Sequence, residues 1–366
     1  MYKILVVDDS ALMRRMISDF INSDPSFKVV DTAKNGQEAI EKTKLLNPDA
    51  ITMDVTMPIM DGVEALRLIM EMQPTPVLML SSLTHEGSKE TMRALALGAI
   101  DFIGKPTGQF AFEISKVKEE LLEKLHVAVR VNMKMQKPAS PSSGLSNDSK
   151  KQTNTIVQSR IPSKLAEQSK GGSSVLKQIV AIGTSTGGPK ALLEVLKDIP
   201  GDFNAPIVIV QHMPPKFTKS LALRLDGACQ IGVVEAEEGM ILQTGMAYLA
   251  PGGYQMKIRR EGGQYRIKLT EEEPRNGHRP SVDVMFESLI NATELKQHVV
   301  IMTGMGSDGA KGMQMLKSSG AITTIAESQE TCIVYGMPRA AVELKCADYV
   351  LPLYDIAKKL IEKVDN

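Results

Sequence analysis

The stretch "IVAIGTSTGGPKALLEVL", residues 179–196, places a hydroxyl among glycines. Residues 179–182 form an apolar run that reads as a buried strand, and 191–196 a periodic apolar segment that reads as a helix. Ser185 therefore stands at a strand–turn–helix junction, in the form Gly183-x-Ser185-x-Gly187 of a nucleophile elbow. Small flanking residues allow a sharp turn that lifts the hydroxyl clear of a sheet, and the helix N-terminus favours developing negative charge. A phosphate-binding glycine loop with Ser185 as one donor among several has a similar outline. The P-loop form of it fails, because Gly188 is followed by Pro189 rather than by lysine.

A serine nucleophile needs a base, and the base needs a group to orient it. "IVIVQHMPPKF" puts His212 at the end of the next strand, beside Ser185 if the two strands are neighbours. His278, in the polar loop "EPRNGHRPS", is the rival; a lone loop histidine is usually solvated, and His212 is the expected base. His298 reads as preceding a strand, at the wrong end of the sheet, and His85 and His126 belong to the first half of the chain. "VVIMTGMGSDG" supplies Asp308 at another strand's carboxyl end. The order Ser, His, Asp differs from the Ser, Asp, His order of α/β-hydrolases, which argues a different fold and not a different chemistry. One motif competes. Gly304-x-Gly306-x-x-Gly309 precedes a helix, with Glu327 about 20 residues on, as in a dinucleotide fingerprint. Against it, Asp308 would place a carboxylate inside the pyrophosphate cradle, and the first turn of this half is the Ser185 loop.

A second constellation lies near the N-terminus. Asp8 and Asp9 end one strand, Asp54 another, Ser81 and Ser82 a third, and Lys105 a fourth. Ligands of open parallel sheets sit at the carboxyl ends of strands, so these groups should meet at one edge. An aspartate at a strand end often only caps the next helix, which suffices for Asp9 or Asp61 taken singly. Capping does not require Lys105 to join three acids. Clustered carboxylates need a cation, and hard oxygen ligands favour Mg²⁺.

The elements needed to position these groups are legible. "KILVVDD", "KVVDTA", "AITMD", "PVLMLSS" and "DFIGKP" read as strands separated by helical patterns such as 13–21 and 65–72. Such βα units predict a flavodoxin-like (βα)5 domain over 1–125. Residues 112–135 carry a long helical pattern. Residues 137–174, rich in Ser, Lys, Gln, Gly and Pro, read as a flexible linker, giving a helix end and linker over 126–174. The third part, 175–366, reads as a doubly wound, mostly parallel α/β domain. Its strands are "QIVAIGTS", "PIVIVQHM", "HVVIMTGMGSDG", "AITTIAES" and "DYVLPL". "MAYLAPGGYQMKIRREGGQYRIKLT" reads as an antiparallel hairpin insertion.

Composition narrows the function classes. The 366 residues suit two domains. Lys plus Arg and Asp plus Glu are 43 each, a neutral balance that gives no support for nucleic-acid binding. No apolar run approaches the ~18 residues of a membrane span, and the N-terminus lacks a signal-peptide shape. Cys229, Cys332 and Cys346 form no C-x-x-C pair and read as buried thiols of a reducing cytoplasm.

The first part resembles a two-component receiver domain from residue 3 to about 125, on "VDDS" at 7–10, "MDVTMPIMDG" at 53–62, Ser81, and "KP" at 105–106. The resemblance implies that Asp54 takes a phosphoryl group from a histidine kinase and that Asp8 and Asp9 help it hold Mg²⁺. It also implies that Ser81 and Lys105 contact the phosphoryl group. Thr56 stands where many such domains carry an acid. The second part is similar to the catalytic domain of chemotaxis protein-glutamate methylesterases. The residues that carry this are "IGTSTGGP" at 182–189, "VQHMP" at 210–214, "LAPGGYQM" at 249–256 and "TGMGSDGAKG" at 303–312. That implies Ser185 as nucleophile, His212 as base and Asp308 as orienting acid, with support from Thr186 and the loop around Met305. The implied substrates are glutamyl methyl esters, and selected glutamines, on cytoplasmic helices of chemoreceptors. A chemotaxis histidine kinase would be the phosphodonor, and the hydrolysis would need no cofactor.

Overall fold

The computed structural model describes residues 1–82, 84–105, 111–131 and 176–365. The linker expected over 137–174 lies outside them, as do Pro106 and the end of the long helical pattern.

In the first domain, β1 (Tyr2–Val7), β2 (Phe27–Ala33), β3 (Ala50–Asp54), β4 (Val77–Ser81) and β5 (Asp101–Gly104) pair in the order β2-β1-β3-β4-β5, all parallel. Every residue of β3 and β4 is buried, as expected of strands covered on both faces. Between them run α1 (Ala11–Asn22), α2 (Gly36–Leu46), α3 (Gly62–Met72) and α4 (His85–Leu97), and α5 (Ala111–Ala128) follows β5. Their starts are local chemistry. Ser10, Asn35, Asp61 and Thr84 each accept a backbone N–H of the first turn, so Asp61 is the helix cap its position suggests.

The second domain is built on seven parallel strands: β6 (Gln178–Thr184), β7 (Ile207–Gln211), β8 (Gly232–Glu235), β9 (Met246–Leu249), β12 (Lys296–Ile301), β13 (Thr323–Glu327) and β14 (Tyr349–Leu351). Their order is β14-β13-β12-β6-β7-β9-β8. The hairpin is shorter than the sequence suggests. Only β10 (Gln255–Glu261) and β11 (Gln264–Thr270) are antiparallel, joined at Gly262 and Gly263, which both take positive φ. The "MAYL" segment belongs to the main sheet, parallel to β7 and β8. A four-residue strand next to a hairpin carries too little pattern to reveal which sheet it joins. Helices α6 (Gly188–Leu196), α7 (Phe217–Asp226), α8 (Val282–Ser288), α9 (Ala310–Ser318), α10 (Met337–Glu343) and α11 (Leu353–Asp365) complete the domain. His298 does not precede a strand: it lies inside β12, fully buried, with Nδ1 3.1 Å from Thr323 Oγ1.

The two domains share an apolar contact. Phe102 of β5 stacks on Phe217 of α7 with centroids 4.5 Å apart and planes at 13°. Beside them the hydroxyls of Ser88 and Ser220 meet at 2.7 Å in a buried pair, and the Arg224 guanidinium donates to the Met92 carbonyl. Ile333 of the second domain packs against the apolar cluster of the first. Among the described residues, no helix is long and apolar enough to cross a membrane.

Candidate active site

The strand order brings the three expected residues together. β6 lies between β12 and β7, the point at which chain order along the sheet reverses, and ligands of open parallel sheets bind outside the carboxyl ends at such a point. Ser185 follows β6, His212 follows β7, and Asp308 follows β12. Thr184 pairs with Gln211, so Ser185 and His212 are the next residues on neighbouring strands. Gln211 fastens the two ends by donating from Nε2 to the carbonyls of Ser185 (2.9 Å) and His212 (3.0 Å), while its Oε1 accepts from Thr184 Oγ1. On the other flank, the Ser185 N–H donates to the Thr303 carbonyl at 3.0 Å.

The turn itself demands glycine. Gly187 caps α6 with φ +80°, a left-handed conformation, and a Cβ there would also stand 2.8 Å from Ile333 Cβ. A Cβ on Gly304 would meet Ser185 Cβ at 2.8 Å, so the loop after β12 approaches the serine only because residue 304 has no side chain. That is the role of the first glycine in the would-be dinucleotide motif. Glu327, the residue a ribose would need, is fully buried and accepts from Thr303 N (2.8 Å) and Thr331 Oγ1 (2.9 Å).

His212 Nε2 lies 2.8 Å from Asp308 Oδ2. Asp308 is buried and saturated with donors. Oδ1 accepts from Ser281 Oγ (2.9 Å) and Asp283 N (3.1 Å), and Oδ2 also accepts from Val282 N at 2.7 Å. Burial opposes its ionisation, but His212 and the two backbone N–H groups outweigh it and hold the carboxyl well below the usual range. As an acceptor only, Asp308 accepts a hydrogen bond from Nε2–H, and the proton stays on His212. His212 Nδ1, buried and without a hydrogen-bond partner among the described residues, is left as the basic nitrogen. Thr186 is buried, and its carbonyl accepts from Thr303 Oγ1. Met305 is half-buried on the loop after β12. The N–H groups of Thr186 and Met305 have no acceptor among the described residues, whereas that of Ser185 is committed to Thr303.

The acidic pocket also assembles. Carboxylate oxygens of Asp8, Asp9 and Asp54 lie within 4.8 Å of one another. Lys105 Nζ stands 2.8 Å from Asp8 Oδ2 and 2.7 Å from Asp54 Oδ2. Burial raises the Asp54 carboxyl above its ordinary value against the pull of Lys105. Ser81 is turned elsewhere: its hydroxyl donates to the Gly87 carbonyl at 3.2 Å and lies 2.8 Å from the Thr91 hydroxyl.

Known proteins share both halves. Residues 180–360 match the family model described as CheB methylesterase, and residues 4–113 match the response regulator receiver domain. A protein-glutamate methylesterase/protein-glutamine glutaminase of Geobacillus kaustophilus is 46% identical over 362 residues, 99% of this chain and 98% of its own. One from Halalkalibacterium halodurans is 45% identical over 361 residues, again 99% and 98%. The chain belongs to the CheB methylesterase family. The crystal structure of the Thermotoga maritima CheB methylesterase catalytic domain shares 46% identity, covering 51% of this chain and 98% of that one, with a TM-score of 0.50.

In this CheB-family chain, the frame around Asp308 and His212 carries little local signal in the sequence. Ser281 carries the signature of a helix cap before an apolar segment, but nothing local shows that its hydroxyl reaches Asp308. Gln255, fully buried, donates to the His278 carbonyl and accepts from the Ser281 N–H, fastening the loop between β11 and α8 at two points. His278 is not a solvated loop residue. It is half-buried, and its ring stacks on His212.

Proposed function

We propose that this chain hydrolyses glutamyl methyl esters on the cytoplasmic helices of chemoreceptors, releasing methanol, and deamidates selected receptor glutamines. Ser185 is the nucleophile, His212 the base and Asp308 the orienting acid. The observation that carries the assignment is the Asp308–His212 pair at 2.8 Å on the strand end that adjoins Ser185. The full-length likeness to relatives named protein-glutamate methylesterase/protein-glutamine glutaminase supports the substrate.

Ser185 Oγ attacks the ester carbonyl while His212 Nδ1 takes its proton. The oxyanion is met by the N–H groups of Thr186 and Met305, whose hydrogens are uncommitted among the described residues. His212 returns the proton to the departing methoxide, and methanol leaves an acyl-enzyme. Water then attacks, its proton going to Nδ1 and on to Ser185, and glutamate is released. With a glutamine substrate the leaving group is ammonia.

The first domain is the control. A chemotaxis histidine kinase supplies a phosphoryl group to Asp54. Asp8, Asp9 and Asp54 fit Mg²⁺, being three converging hard oxygen donors, and the ion would offset the charge of the incoming phosphoryl group. Lys105 and the Ser81 hydroxyl then turn to the phosphoryl oxygens. The unphosphorylated domain, seated through Phe102, Ser88 and Met92, covers the crevice against a bulky receptor helix.

The test is methanol release from methylated receptor membranes. Ser185→Ala should abolish it with the fold intact, and turnover at the normal rate in that variant would sink the assignment.

A further inference from the structure

His278 stands on a two-residue turn. Arg275 and His278 exchange both backbone hydrogen bonds at 3.0 Å, with Asn276 and Gly277 at positive φ between them. The His278 carbonyl accepts from Gln255 Nε2 at 3.1 Å. The same Gln255 side chain accepts the Ser281 N–H at 2.8 Å, and Ser281 Oγ donates to Asp308. One buried amide thus ties the His278 turn to the cradle of Asp308. The rings of His212 and His278 lie nearly parallel, with planes at 8° and centroids 3.7 Å apart. His212 is therefore gripped twice, at its Nε2 edge by Asp308 and across its face by His278.

We infer that His278 is a positioning residue for the hydrolysis, a neutral aromatic plate that holds the His212 ring in the plane where Nδ1 meets Ser185. The inference rests on His212 being the base. An imidazole held by a single hydrogen bond can swing about that bond. A second ring against its face removes this freedom and excludes water from the face. The plate must stay uncharged, because His212 becomes an imidazolium while it holds the serine proton and two stacked cations would repel. Burial, then the neighbouring His212, pushes the His278 imidazole down to about 4. Besides His212, the charged groups that act on it are Asp308 across the crevice and Lys116 and Glu120 on α5 of the first domain. A neutral ring face against the imidazolium is also attractive, as for cations over aromatic faces.

The stack needs an aromatic ring at 278 and not a ring nitrogen, which separates this role from that of a second base. The test uses the full-length chain with a small phosphodonor and Mg²⁺, methylated receptor membranes, and the variants His278→Ala, His278→Phe and His212→Ala. His278→Ala should lower kcat by about 10²-fold, the cost of misplacing a reacting group by about 1 Å, with KM unchanged within twofold. His278→Phe should recover kcat to within about threefold, and both should unfold at the same temperature as the parent. The inference is overturned if His278→Ala keeps full kcat, or if His278→Phe is as slow as His278→Ala. Activity surviving in His212→Ala would overturn the triad itself, while a dead His212→Ala beside a fully active His278→Ala would overturn the stack alone.

Discussion

Asp308 meets His212 at Nε2, 2.8 Å away, which leaves Nδ1 as the imidazole nitrogen without a hydrogen-bond partner among the described residues. The carboxylate is fixed by Ser281, Val282 and Asp283 before it touches the histidine. In the proposed mechanism it chooses which nitrogen carries the proton. Asp308→Asn would put an amide where an acceptor is required and favour the opposite tautomer. Methanol release should fall by about 10⁴-fold. Combined with His212→Ala, the change should add almost nothing to the loss caused by His212→Ala alone, because members of a triad are strongly non-additive. Losses that multiply would show the two residues working independently.

Asp283 gives a stability prediction with a definite sign. It is buried, its carboxylate accepts the Gly312 N–H at 2.7 Å, and burial, then nearby Asp308, raises its carboxyl to about 6 from 3.8. Between those values the folded chain holds a proton that the unfolded chain has lost, so stability falls as pH rises from about 4 to about 6. Asp308 has the opposite sign, its stabilisation being present above its unfolded value and lost in acid. Asp283→Asn keeps an acceptor for Gly312 and removes the charge. Urea midpoints should show this variant more stable than the parent at pH 8, with the gap closing towards pH 4. An equal gap at both pH values would refute the reading.

The acidic pocket predicts dependence on both a phosphodonor and a divalent ion. A small phosphodonor with Mg²⁺ should raise full-chain hydrolysis, since a phosphoryl group adds about −1.5 to −2 charges beside Lys105. Asp54→Asn should remove the rise and keep the basal rate. Asp8→Asn with Asp9→Asn should block phosphoryl uptake by Asp54, read by intact mass. Labelling that persists without both carboxylates would contradict their role as Mg²⁺ ligands.

Covering of the crevice predicts that a chain beginning at Val175 hydrolyses receptors faster than the unphosphorylated full chain. If it does not, the first domain recruits or activates and does not cover. Phe102→Ala should weaken the seat while leaving every residue of the second domain in place. A rise of about fivefold in unphosphorylated activity corresponds to ~1 kcal/mol lost from the contact, a fraction of what removing a buried phenylalanine side chain costs. Loss of phosphorylated activity in this variant would point to a different role for Phe102.

The candidate groups of both sites were legible because each ends an apolar strand, and strand ends of a parallel sheet converge. Ser185, His212 and Asp308 could be placed from three such ends, and Asp8, Asp9, Asp54 and Lys105 from three others. What holds them was not. Gln255 and Ser281 act across tens of residues, and no local pattern marks a side chain that bonds to a remote loop. The insertion of β9 between β7 and β8 was equally hidden, since pairing order depends on long-range packing that a four-residue strand does not record. His278 was misjudged because loop histidines are normally wet, and only the tight turn at Asn276 and Gly277 turns this one inward.

The Phe102–Phe217 stack also gives the cover a thermal character. The stacked rings contribute to the seat through water released on contact, and that driving force fades on cooling. Parting the domains wets both rings and should raise the heat capacity, as any exposure of apolar area does. On the proposed cover, the resting enzyme would be held most loosely in the cold. The ratio of phosphorylated to unphosphorylated turnover should narrow as temperature drops, so that the gain of this signalling device is itself a function of the warmth of its surroundings.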